Sequence, residues 1–153
     1  MKLINTAIIV ALFASAAAIH LRADNSSAHP YYLQALADLR IARWNVQQGP
    51  GNSQMNDDET KALSEINAEI SAIKKASIDD NTSADNHPAA DEALDHKGHL
   101  QRAMSLLGKI RQDLLNEHED PSIPGLRKKS FNHLNKAIRF VGRAFIALGR
   151  HGH

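Results

Sequence analysis

Apolar side chains recur along this chain at alternating steps of three and four, the period of a helix that buries one face. Leu63, Ile66, Ile70 and Ile73 make one stripe, and Leu100, Ala103, Leu107, Ile110 and Leu114 a second. Phe131, Leu134, Ile138, Val141, Phe145 and Leu148 make a third. A looser set, Tyr32, Leu33, Leu36, Leu39 and Val46, lies in a segment that opens on Pro30 and stops at Gly49-Pro50-Gly51. Proline is tolerated in a first helical turn and the glycines mark an end. The second helix is expected to begin at Asn56, with Glu59 at capping-box spacing. No segment alternates in the manner of a strand, so the pattern predicts an all-α protein.

The second half of the chain resembles the first. ALSEINAEISAIKKASI (62–78) aligns without gaps, at an offset of 68, with SFNHLNKAIRFVGRAFI (130–146). YLQALADL (32–39) matches HLQRAMSL (99–106) less closely, and His29-Pro30 and His87-Pro88 introduce the two halves. Each half reads as a helical hairpin whose bare stripe cannot be buried alone. Docked together, two similar hairpins make an antiparallel four-helix bundle. The turns within the hairpins are short, the second carrying Pro121 and Pro124, whereas the connection over 79–97 is long. A loop of that length in a compact domain is commonly functional or disordered.

Composition adds a compartment. One lysine precedes an apolar run over about 7–18 with small residues at its end, the order of a secretory signal peptide. Residues 1–23 are expected to be removed, with cleavage between 16 and 23, leaving 24–153 as one domain in the periplasm or outside the cell. With no cysteine, disulfides, a lipidated-cysteine anchor and covalent c-type haem are excluded. Charge is near balance overall but unevenly spread: residues 57–95 carry eleven acids against three lysines, and 121–153 carry seven Lys or Arg and no acid. That favours pairing between segments, or an anionic partner at one end.

Several stretches, HPYYLQALADLRIARW, KKASIDD, NHP, DHKGHLQRA, and NEHEDP followed by GLRKKSFNHLNKAI, give the chain from about His29 to Leu148 a likeness. It resembles a group of small exported bacterial helical-bundle proteins with no established activity. The resemblance implies an exported bundle and no enzyme class. Proteins of this kind are expected to carry glycine at Asn81 and a second proline at Ala89, so this chain departs from them in the long loop.

That loop carries the candidate chemistry. His96 and His99 are spaced to share a helix face, Asp95 precedes them, and His87 or Asp91 lies upstream; His29 is a further candidate from the equivalent corner. Such a nitrogen and oxygen set suits zinc, copper or nickel. The plainer reading makes Asp95 the helix N-cap and both imidazoles exposed, with Gly98 weakening any rigid platform. Two lesser metal ideas are a mature terminus Ala18-Ile19-His20 and the tail His151-Gly152-His153. Met104 and His133 lie beside their stripes, but ordinary packing accounts for them better than haem.

The last helix has an apolar face wider than one contact needs. Lys136, Arg139, Arg143 and Arg150 share a narrow strip, and Phe140 and Ile146 lie outside the main stripe. His133, Phe140, Arg139 and Arg143 are therefore expected at an interface, most simply a homodimer or an envelope partner, with a membrane surface less favoured. Otherwise neighbouring helices bury the extra width and the arginines pair with Glu65, Glu69 or Asp113. Asn67 and Asn135 sit where a polar residue fixes register or meets solvent, and Trp44 is expected to plug the core beneath the loops. Trp44, Tyr31 and Tyr32 all lie outside the basic segment and the expected compartment is outside the cytoplasm, which argues against nucleic acid. Serines lack a nucleophile-elbow context and no phosphate-cradling glycine loop exists. The expectation is a non-enzymatic exported bundle acting as a structural or interaction module; the alternative is a periplasmic metal-binding protein built on His87, Asp95, His96 and His99.

Overall fold

The computed structural model describes residues 29–48, 54–76, 78, 83 and 93–150. The expected signal segment, His87 and Asp91 lie outside the described residues. Four helices form: α1 (Pro30–Gln48), α2 (Asp57–Lys75), α3 (His96–Asp113) and α4 (Leu126–Arg150). None of them is long and apolar enough to cross a membrane.

Local chemistry sets the helix starts. The Asn56 side chain accepts from the backbone N–H of Asp58 and Glu59, both at 2.9 Å, while Glu59 accepts from the Asn56 N–H at 2.8 Å. Asp57, Asp58 and Glu59 in the first turn and Lys74 and Lys75 in the last complement the dipole of α2. Asp95 caps α3, accepting from Gly98 N–H at 2.7 Å. A Cβ on Gly98 would sit 3.0 Å from that Asp95 oxygen, so the glycine makes room for the cap. No acid lies in the first turn of α1; Glu117, 86 positions away, accepts from Tyr31 N–H at 3.1 Å instead. α4 starts after Gly125, whose φ of 76° belongs to the left-handed region that glycine enters freely.

Going around the bundle, the helices follow the order α1, α2, α4, α3, with α1 opposite α4 and α2 opposite α3. Cross-contacts fix their directions. Asn45 meets His99, Asp38 meets Lys109 and Tyr31 meets Glu117, so α1 and α3 are antiparallel. Asp58 meets Arg143 and Glu65 meets His133, so α2 and α4 are antiparallel as well. His96 at the start of α3 bonds Glu59 at the start of α2, so those two diagonal helices run the same way. All neighbours are antiparallel, and the chain runs up, down, down, up. The ends of α2 and α3 that the long connection joins are therefore a helix length apart, about 28 Å for 19 residues. A span of that size needs at least about eight extended residues, which gives the length of the connection a topological cause.

The core is drawn from all four helices, with Leu36, Leu39, Ile66, Ile73, Leu100, Leu107, Ile110, Leu114 and Leu134 the largest enclosed apolar side chains. α4 is rotated from the expected stripe. Ser130, Leu134, Ala137, Val141 and Ala144 are buried, whereas Phe131, Ile138, Phe145 and Leu148 are only partly covered. Small residues on that seam let α2 approach closely, and the displaced rings take cations on their outer faces. Arg111 lies 5.8 Å from the Phe131 centroid and Lys97 5.1 Å from that of Phe145.

Candidate functional site

At the end of the bundle where α2 and α3 begin, His96 and His99 turn to different helices. His96 Nε2 is 2.6 Å from Glu59 Oε1, and Glu59 is almost wholly enclosed. His99 is buried against α1: its Nδ1 is 3.0 Å from Asn45 Oδ1, and its ring meets Trp44 edge-on at 5.4 Å. The expectation of exposed imidazoles is corrected for His99, and the expectation of a shared ligand face is corrected for the pair. The start of α3 faces the end of its neighbour α1 and, across the bundle, the start of α2, and the two imidazoles divide between those helices. Asp95 spends one oxygen on its cap. Among the described residues no group of three or more His, Asp or Glu side chains is placed to hold a metal ion.

On α4 the candidate interface residues divide. His133 turns inward, its Nδ1 2.7 Å from Glu65 Oε2 and Lys136 Nζ 3.4 Å from the other oxygen. Burial works to raise the Glu65 carboxyl, but the hydrogen bonds from His133 and Lys136 outweigh it and hold it below the ordinary glutamate value. Phe140 is half-buried, and the Arg143 guanidinium covers it at 4.8 Å while bonding Asp58 at 2.6 Å. Arg139 stays exposed with Ile146, which is 55% accessible, and Arg150. Neither Glu69 nor Asp113 pairs with an arginine as expected: Asp113 shares Lys109 with Asp38, both at 2.7 Å, and those bonds raise the Lys109 pKa. Asn135 accepts from Arg111 at 3.1 Å on the surface, and Asn67 is exposed, so neither fixes register inside the core.

The opposite end holds a polar cluster that periodicity alone does not reveal. His29 lies between two carboxylates, Nε2 3.1 Å from Asp120 and Nδ1 3.5 Å from Glu117. Asp120 is lowered in pKa, first by the backbone N–H of Ser122, next by the Ser122 hydroxyl, and after them by that histidine. Arg127 donates to the Glu117 carbonyl at 3.3 Å and to Glu119 at 3.2 Å. Beneath them sit Tyr32, Glu69 and Ser130, all buried. Burial, with the charges of Glu69 and Glu117 added, pushes the Tyr32 hydroxyl up to about 12. Glu69 is fully enclosed, neither of its oxygens has a hydrogen-bond partner among the described residues, and burial pushes its carboxyl up to about 7. One signal in the sequence marks it: Glu69 stands three positions after Ile66 and four before Ile73, inside the apolar stripe and not on its solvent side.

These side chains can hold protons and tie helices together, and no nucleophile among them is set against a base. Comparison with family models, with curated proteins and with solved structures finds no match to this chain.

Proposed function

We propose that this chain is an exported, non-enzymatic interaction module of the bacterial cell envelope, and that α4 carries its contact with an acidic protein partner. The observation behind this reading is the outer ridge of α4. Lys128, Asn132, Asn135, Arg139, Arg143, Ile146 and Arg150 follow one another at steps of three and four, and all are exposed. Asp58 of α2 takes up Arg143, and no acidic residue within 121–153 offsets the other cations. Ile146, at 55% exposure, supplies an apolar anchor among the charges. A membrane surface fits less well, because an interfacial helix needs an apolar face of several large side chains. Here Phe131, Phe140 and Phe145 are packed against the core.

The contact moves from the residues first expected. His133, Phe140 and Arg143 are engaged within the bundle, Arg139 stays in the contact, and Ile146 and Arg150 join it. A photo-crosslinking amino acid at position 146, introduced into the exported protein in its own cells, tests the reading. The expected result is one discrete adduct to an acidic protein, weakened by salt and lost in the Arg139→Glu, Arg150→Glu double variant. No adduct, or an adduct indifferent to charge reversal, overturns it. An adduct to a second copy of this chain replaces the foreign partner with a homodimer.

A further inference from the structure

We propose that Glu69 is a proton-operated lock on the seam between α2 and α4: neutral, it packs closed against Ser130, and ionised, it drives that end of the seam open. The geometry is the starting point. Glu69 has no exposed surface, and neither of its carboxyl oxygens nor the Ser130 hydroxyl makes a hydrogen bond of good geometry among the described residues. A carboxylate enclosed with no more than a nearby hydroxyl, that of Ser130, is strongly disfavoured, and in such a place the group takes a proton instead of keeping its charge.

The surroundings do not rescue the charge. From α4, Lys129 and His133 lower the pKa of Glu69 only as distant charges, and Ser130 lowers it as a nearby hydroxyl. His133 is itself committed to Glu65, on the same face of α2 one turn earlier. From α1 the facing group is Tyr32, which brings no positive charge; beyond it Glu117 and Glu119 add carboxylates at this end, and the cation there, Arg127, is bonded to both residues. Burial remains the largest influence and carries the carboxyl up to about 7. The proton therefore leaves within the range that an exported protein meets outside the cytoplasm.

Position decides what ionisation does. Ser130 lies in the second turn of α4, just beyond the Gly125 turn, and Tyr32 lies in the first turn of α1. Both are near helix starts, which swing apart more readily than helix centres. The other end of the seam is held separately by the Arg143 bond to Asp58. Opening at the Glu69 end admits water to the carboxylate without unfolding the bundle.

The test uses the full chain. Carboxyl-carbon NMR, with the Glu69 signal assigned through the Glu69→Gln variant, is expected to show it titrating near neutrality, a proton affinity about 300-fold above that of an ordinary glutamate. Hydrogen exchange, corrected for intrinsic rate, is expected to lose protection in residues 66–75 and 126–134 between pH 5.5 and 8.5. The Glu69→Gln variant, which keeps His133 and cannot ionise at 69, is expected to hold its protection. Titration in the ordinary glutamate range overturns the proposal. So does a loss of protection that the variant shares, or none in the wild type. Should Glu69→Gln not fold, Ser130→Ala serves as the second variant: removing the hydroxyl must move the titration upward, and a downward move or no move overturns the lock.

Discussion

The two oxygens of Glu59 serve different helices, and truncating that side chain measures how much the start of α3 depends on the start of α2. Oε2 accepts from the Asn56 N–H at 2.8 Å and completes the capping box of α2, while Oε1 holds His96 at 2.6 Å. Glu59→Ala removes both bonds. Loss of half a capping box costs about 1 kcal/mol, and loss of a hydrogen bond to a charged group about 2 kcal/mol. Glu59 is 1% exposed and the His96 side chain 26%, so solvent screens this pair less than a surface one. The sum, about 3 kcal/mol, corresponds to a melting temperature lowered by about 10 °C in a domain of this size. Urea unfolding followed by circular dichroism at pH 7 gives the free energy directly. A cycle with His96→Ala and the double variant isolates the tie, with an expected coupling of about 1.5 kcal/mol. Glu59→Gln keeps the capping acceptor and should lose only the charged part. A Glu59→Ala protein as stable as wild type, or a coupling near zero, refutes the reasoning. So does zinc that raises the melting temperature of wild type but not of His96→Ala, since the imidazole would then leave Glu59 for a metal.

Three further outcomes follow from single positions. Glu69 titrates near 4.5 when unfolded and near 7 in the bundle, so the folded state holds the proton more tightly; its stabilising contribution is complete below pH 4.5 and lost as pH rises through 7. Urea unfolding across pH 4.5–8.5 should show Glu69→Gln gaining about 3 kcal/mol on wild type by pH 7 and no more above it, whereas parallel curves would contradict this. Gly98→Ala should fail to yield the usual helical gain of about 1 kcal/mol, because its Cβ meets the capping Asp95 oxygen at 3.0 Å and Leu94 Cβ at 3.3 Å; in an Asp95→Ala background only part of the gain should return. Gly108→Ala, with nothing within 4 Å, should stabilise by about 1 kcal/mol, and Gly125→Ala, at φ 76°, should destabilise by about as much, both read from melting temperatures.

The four helices and the capping of α2 and α3 were legible because they depend on neighbours in sequence. Asn56, Glu59 and Asp95 each act within three positions of their own helix start. What the pattern did not disclose depends on which helix lies beside which. His96 and His99 are close along α3, yet one reaches Glu59 and the other Asn45, 37 and 54 positions away. Spacing on one helix cannot tell a shared site from two separate ties. The buried face of α4 departs from its apolar pattern for a related reason. Phe131, Ile138 and Phe145 are the larger apolar residues, but α2 packs on Ser130, Ala137 and Ala144, where its backbone can come closer. Buried acids were the least visible: Glu117 reads as an ordinary loop carboxylate until the opposing helices are in place, and only its position inside the apolar stripe of α2 sets Glu69 apart.

The pair Glu65 and His133 joins these threads. The two residues are 68 positions apart, the same offset at which the halves of the chain align, so each is the counterpart of the other in its own hairpin. When a helix packs antiparallel against its counterpart, the residues at the crossing point meet their own equivalents. Two identical hairpins would bring like against like there, two glutamates or two histidines, which repel or compete for protons. With glutamate in one half and histidine in the other, the crossing point becomes a 2.7 Å bond, and Lys136 adds a cation to the same carboxylate. Complementarity at the crossing favours one first hairpin with one second hairpin over two first hairpins together. It also explains why one chain needs the long connection: the second hairpin must arrive reversed, and only a segment returning the length of α2 delivers it that way.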